Sequence, residues 1–141
     1  MTAISSQGLT DGSAEGRLLV LDAPLSLWGG LDLATGLISD TSHPQFGTRL
    51  SGQVLAMRSA RGSSSSSSAL VEAVRRETAP AAIIMVTADP ILVIGSLVAA
   101  DLYRREVPIV LVASADWPLL THGALVTVTA RDGTAEISVR Q

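Results

Sequence analysis

The strongest constraint on the fold is an alternation of short apolar runs and helix-type segments between residues 50 and 112. Three apolar runs, at residues 50–57, 81–87 and 107–112, have the length and composition of buried strands. Strand–helix–strand order favours parallel pairing with right-handed crossovers. The sequence therefore predicts an α/β fold built from parallel strand–helix–strand units.

The two intervening segments have helix signals of different kinds. The first has an apolar side and a charged side. The apolar side carries Leu70, Val71 and Val74, and the charged side carries Glu72, Arg75 and Arg76. The second begins with Asp89-Pro90, which predicts a helix start because Asp is a good N-cap and Pro suits the first helical position. Its residues Ile91, Gly95, Val98 and Leu102 fall on one stripe.

The ends of the chain add strands of another type. Residues 17–21 form a continuous apolar run, which predicts a first strand buried on both faces. Residues 125–129 and 136–139 flank Arg131-Asp132-Gly133 and predict a hairpin, so the sheet is mixed. Residues 1–16 are predicted to be a mobile polar tail without signal-peptide features, and residues 17–141 a single cytoplasmic domain.

Charge and hydropathy exclude two classes of partner. The net charge is -3 and no basic patch is present, which argues against nucleic-acid binding. No apolar run approaches the ~18 residues of a membrane span. Yet 47% of residues are hydrophobic and only 16% charged. Two explanations stay open: an exposed apolar patch that a partner covers, or simply an aliphatic core.

Two residue types are missing and limit the chemistry. The chain has no Cys, so it cannot hold an iron–sulfur cluster through thiolates. All ten basic residues are Arg. Without Lys, neither a Walker-type phosphate loop nor a side-chain Schiff base can form.

The most distinctive local feature is a run of six serines, residues 63–68, where a predicted strand turns into a helix. The first N–H groups of a helix have no internal partners and attract anions. Gly62 can take a positive φ and lets a ligand approach the backbone. The alternative is a serine-rich helix cap or a flexible linker.

A second unusual feature is Trp28 beside Gly29 and Gly30. The indole could line a ligand pocket or an interface, or it could close the core beside a tight turn. The chain has two histidines, His43 and His122. A hydrogen-bonded loop histidine is the prediction for His43, and no group of residues is spaced as a metal site.

Several segments together resemble the aconitase X family, in particular its small subunit. They lie between about residues 17 and 112 and include Arg61-Gly62-Ser63-Ser64, residues 24–32, Asp40 with His43-Pro44, residues 79–84, and residues 89–92 with Gly95. The resemblance implies a swivelling β/β/α domain, similar to the aconitase swivel, that closes over an iron–sulfur site. It implies that a larger partner subunit carries the cluster and that this chain binds no metal.

The resemblance also implies roles for individual residues. Ser63 would abstract the α-proton of a small carboxylate substrate. The substrate-binding residues would be Arg61, Gly62, Ser64, Trp28, Gly29 and Gly30. The partner's cluster would bind the leaving hydroxyl.

The serine-rich turn resembles the bacterial form of the family, which implies a hydro-lyase that converts cis-3-hydroxy-L-proline to pyrroline-2-carboxylate, and two alternatives stay open. Archaeal members dehydrate mevalonate 5-phosphate, which is the first alternative. The second is a non-enzymatic swivel or phosphate-binding module, which a histidine on a mobile loop would favour.

Overall fold

Residues 1–140 are described by a computed structural model of the chain. Seven strands form a closed barrel in the order β1-β5-β4-β3-β2-β6-β7. The strands are β1 (Thr2–Gly8), β2 (Gly12–Val20), β3 (Val54–Ala56), β4 (Ala82–Met85), β5 (Ile109–Leu111), β6 (Leu125–Arg131) and β7 (Thr134–Arg140). The helical segments are α1 (Leu27–Gly30), α2 (Ser66–Arg75), α3 (Pro90–Tyr103) and the 3-10 helix η1 (Ser114–Leu119).

The central strands confirm the predicted strand–helix–strand units. β2, β3, β4 and β5 are parallel neighbours, with α2 between β3 and β4 and α3 between β4 and β5. The remaining pairs are antiparallel, so the sheet is mixed as predicted. The predicted hairpin is β6–β7, and its turn residues Asp132 and Gly133 both have positive φ.

The prediction of a mobile tail over residues 1–16 is wrong. β1 pairs with β7 from Thr2 to Gln7 and also with β5, and this closes the barrel. The Thr10 hydroxyl accepts the N–H of Ile109 at 2.9 Å, which fixes the following turn. The segment has few apolar residues because Ile4 alone is buried in β1. Its order comes from backbone pairing with distant strands, which a hydropathy pattern does not register.

Two apolar clusters lie on the two sides of the barrel wall. Leu18, Ile84 and Val126 belong to the cluster inside the barrel. Leu19 and Ile83 belong to the cluster between the wall and helices α2 and α3. Because adjacent residues enter different clusters, the end of β2 is buried on both faces at Leu18 and Leu19, as the apolar run at residues 17–21 predicted.

The amphipathic face of α2 packs as predicted, whereas α3 does not follow its predicted stripe. Leu70 and Val74 are buried. On α3 the buried residues are Leu92, Gly95, Ser96 and Ala99. Val98 and Leu102, which were placed on a stripe with Gly95, are exposed. Among residues 1–140, no helix has the length and apolarity needed to cross a membrane.

Candidate functional site

The serine run lies beyond the carboxyl end of β3. β3, β4 and β5 are parallel, so the segments that leave their carboxyl ends lie at one edge of the barrel. The helix starts at Ser66, and residues 57–65 form the connection from β3. The last three serines of the run are therefore helical, and Ser63 and Ser64 precede the helix.

Ser63 organises the turn into α2. Its Oγ accepts the N–H of Ser65 at 3.3 Å, and its carbonyl accepts the N–H of Ser66 at 3.0 Å. The N-cap residue Ser65 makes no side-chain capping bond. Three backbone N–H groups of this turn have no acceptor within residues 1–140. They belong to Ser64, Ser67 and Ser68. The turn therefore presents free N–H donors and the positive end of the helix dipole to an anion.

Gly62 does not have the positive φ that the sequence suggested, but the space beside its backbone is open as expected. It is not among the glycines with positive φ, so the turn does not require a glycine there. A Cβ added to Gly62 would meet nothing within 4 Å. The open space beside the backbone would still let a ligand approach.

Arg61 lies beside the loop that carries Asp40. Its backbone N–H donates to Leu25 O at 3.3 Å, and its Nη1 lies 3.8 Å from Asp40 Oδ2. The hydroxyl and the N–H of Ser42 donate to Asp40, and these bonds hold the pKa of the Asp40 carboxyl below its usual value. The carboxylate therefore stays ionised and attracts the guanidinium, whose side chain is 63% exposed.

The segment α1 is a kinked turn that holds Trp28 outward. Trp28 and Gly29 have non-helical backbone angles, and Gly29 has φ 79°. Gly30 packs so closely that an added Cβ would lie 2.8 Å from Leu25 Cδ1. The Trp28 side chain is not part of the core, since the residue is 58% exposed. The alternative of a core tryptophan is therefore wrong for Trp28.

Two serines that the sequence analysis did not single out support this turn, and one of them joins it to the serine helix. Ser26 Oγ donates to Trp28 O at 3.1 Å and lies 3.4 Å from Ser66 Oγ. Ser66 is only 2% exposed. Ser39 also supports the turn, because its hydroxyl donates to Gly29 O and its N–H to Gly30 O. The Ser26–Ser66 contact places the Trp28 turn beside the first turn of α2, and no sequence motif signals it.

His43 is the hydrogen-bonded loop histidine that the sequence predicted. Its Nε2 donates to Ala23 O at 2.9 Å, and its Nδ1 accepts the N–H of Gln45 at 3.0 Å. The residue is 6% exposed. His122 is exposed and accepts the N–H of Val20 through Nδ1. Because both ring nitrogens of His43 are used within the fold, it has no free position for catalysis or phosphate transfer.

The residues of this chain do not fit an iron–sulfur cluster. The sequence has no Cys. Within residues 1–140, no group of three or more His, Asp or Glu side chains could hold a metal ion. A cluster at this site would therefore need ligands from outside the chain.

The serine turn thus lies at the N-terminus of α2, at one edge of a closed barrel. The family model described as the aconitase X swivel domain matches residues 3–137. The chain therefore belongs to the aconitase X swivel-domain family. Its fold agrees with a solved structure, Thermococcus kodakaraensis aconitase X in its holo-form, with TM-score 0.85, 27% identity and 100% of each chain covered.

Two kinds of curated relative match the chain. It is 39% identical to the cis-3-hydroxy-L-proline dehydratase of Pseudomonas aeruginosa over 83% of this chain and 21% of that protein. It is 33% identical to the phosphomevalonate dehydratase small subunit of Pyrococcus furiosus over 95% of this chain and 94% of that protein. The chain thus spans about a fifth of the hydroxyproline dehydratases it matches, at 21% and 20% of their lengths.

Proposed function

We propose that this chain is the small, swivel subunit of an aconitase X-type hydro-lyase that dehydrates cis-3-hydroxy-L-proline to pyrroline-2-carboxylate. One observation carries the proposal: the Ser63 hydroxyl lies at the open N-terminal end of α2 in a member of this family. The identity of 39% to a named cis-3-hydroxy-L-proline dehydratase supports the choice of substrate. The partner would be a large subunit that carries the iron–sulfur cluster.

Ser63 is the proposed base of the reaction. It would take the proton from the carbon next to the carboxylate, the hydroxyl would leave the neighbouring carbon, and the products would be pyrroline-2-carboxylate and water. An unassisted serine is a poor base. The Ser65 N–H directed at its oxygen and the helix N-terminus favour a negative oxygen there.

The carboxylate of the substrate has a matching set of donors. The free N–H groups of the serine turn, the Ser64 hydroxyl and the Arg61 guanidinium all suit an anion. Gly62 leaves room for it. Trp28, Gly29 and Gly30 would form the adjacent wall, because Ser39 supports their turn and Ser26 joins it to Ser66 of α2.

A second substrate has its own support. The match to the phosphomevalonate dehydratase small subunit covers 94% of that relative, against 21% of the hydroxyproline dehydratase. Mevalonate 5-phosphate is therefore the alternative, and it would use the same N–H groups and Arg61. For the non-enzymatic module His43 gives no support, because it is buried and both of its ring nitrogens are bonded within the fold. His122 is the remaining histidine for a carrier role, since it is exposed and accepts a bond through Nδ1.

The proposed division of labour gives a direct test. We expect the purified chain to contain no iron and to show no turnover, because its donor set does not fit a cluster. Co-expression with its large subunit should give a stable complex on size-exclusion chromatography that dehydrates cis-3-hydroxy-L-proline. Iron assay and turnover of both samples decide the point. Stoichiometric iron or turnover in the isolated chain would contradict it, and turnover of mevalonate 5-phosphate alone would select the second substrate.

Trp28 offers a test of the wall of the site, with a matched control in the same chain. We expect Trp28→Ala to weaken assembly or raise the KM about tenfold or more while folding stability changes little, because the side chain is 58% exposed. The control is Trp117→Ala, since Trp117 is 9% exposed and its loss should cost about 3–5 kcal/mol of stability. Thermal unfolding of both variants, together with steady-state kinetics of the Trp28 variant in the complex, makes the comparison. A stability loss at Trp28 as large as at Trp117 would show that Trp28 has only a packing role.

A further inference from the structure

The outer face of α3 is apolar although it lies at the surface. Ile94 and Leu97 are each 54% exposed, Leu102 is 59% exposed and Val98 is 39% exposed. Asp101 is the single charged residue of α3. A helix that is apolar on all sides is typical of a buried position. The face therefore has the composition of an interior surface, but no other part of residues 1–140 covers it.

Part of this face, Ile94 and Val98, is one wall of a groove between α2 and α3, and Leu97 and Leu102 lie outside the groove. The groove has a volume of about 440 Å³ and is lined in part by Val71, Ile94 and Val98. At its rim Glu72 pairs with Arg75 and Arg76 of its own helix. Its one charged lining residue is thus already paired, and apart from two serines at one end the other lining residues are apolar or glycine. Such a groove is suited to apolar side chains of a partner.

One end of the groove lies at the first turn of α2, a few residues along the chain from Ser63. Ser67 and Ser68 line it and belong to the first turn of α2, which Ser63 precedes. Gly95 lets the helices approach there, because an added Cβ would lie 2.9 Å from Ser67 O. A protein that covers Ser63 would therefore lie next to the open end of the groove.

We propose that the groove and the outer face of α3 are a docking surface for the large subunit, which seats an apolar segment on Leu97 and its neighbours. This inference rests on the proposed function. The named relatives support this occupant, since the match covers only 21% of the hydroxyproline dehydratase and other relatives are called small subunits. A second copy of this chain is less suitable, because it would occupy the space beside Ser63 without supplying cluster ligands.

The test compares Leu97→Glu with Leu37→Glu in titrations against the purified large subunit. Leu37 is a matched control, because it is also an exposed leucine, at 37%, but lies beside Arg49 near the amino end of β3. We expect Leu97→Glu to weaken the complex at least about tenfold, since a charge would be buried against apolar side chains. Leu37→Glu should stay within about twofold of the wild-type Kd. The milder variant Leu102→Gln should weaken binding in the same direction, and circular dichroism of each isolated variant confirms that it is folded.

The outcomes separate this surface from the proposed function. If the wild-type complex forms and turns over substrate while Leu97→Glu and Leu102→Gln bind like wild type, the docking surface is overturned and the proposed function stands. If the isolated chain dimerises and Leu97→Glu abolishes only that dimer, a second copy is the occupant and the inference is also overturned. If the wild-type chain neither binds the large subunit nor supports dehydration, the proposed function fails and this inference fails with it.

Discussion

Replacing Ser63 with Ala should lower turnover of the complex by at least about 10²-fold, because proton abstraction needs a correctly placed base. Assembly and iron content should not change, since the Ser63 side chain makes one local bond, to the N–H of Ser65 at 3.3 Å. The backbone bond from Ser66 N–H to Ser63 O does not depend on the side chain. Turnover on cis-3-hydroxy-L-proline, with iron content and size-exclusion profile measured on the same sample, gives the result.

The serine run supplies its own controls. Ser67→Ala should cost little, because the Ser67 hydroxyl only donates back to Ser64 O at 3.3 Å within the first helical turn. Ser66 is a poorer control, since it is buried and lies 3.4 Å from Ser26 Oγ. Equal, mild losses at each serine would show that the run is a solvated helix cap and that the proposed mechanism is wrong. A large loss at Ser64 with Ser63 spared would move the base by one position.

Gly95→Ala should destabilise the fold by about 1–3 kcal/mol, although the same change in an exposed helix stabilises by about 1 kcal/mol. The reason is that the new Cβ would lie 2.9 Å from Ser67 O and 3.1 Å from Ser67 Cα, which are backbone atoms of α2. Either α3 moves away or the first turn of α2 shifts. Denaturant unfolding of the isolated chain measures the free energy, and turnover of the complex reports any shift of the serine turn.

Gly62→Ala is the matched control for this change. Gly62 has open space around its Cβ position and no positive φ, so its free energy of unfolding should stay within about 0.5 kcal/mol of wild type. It tests the site instead, because an added methyl group would stand where the substrate is proposed to approach. A Gly95→Ala chain that is more stable than wild type would show that α2 and α3 tolerate a wider spacing than the structure indicates.

Much of the candidate site was predicted from local chemistry, and the part that was missed depends on distant contacts. The serine turn, its helix and the hydrogen-bonded His43 were predicted from residue types and their order. The pairing of Arg61 with Asp40 joins two separate loops. The contact of Ser26 with Ser66 spans 40 residues. A serine has the same local preferences whether or not a second serine lies opposite it, so these contacts have no signal in the sequence.

The sequence by itself determined the parallel strand–helix units, the β6–β7 hairpin and the inability of this chain to bind a cluster through Cys. These features follow from periodicity, turn residues and composition, which act within one segment. Only the tertiary structure decided that residues 2–8 close the barrel and that the outer face of α3 stays uncovered. Both depend on which surfaces meet across the fold. The sequence shows which residues are apolar, but the packing of the whole fold determines which of them are buried and against which neighbours.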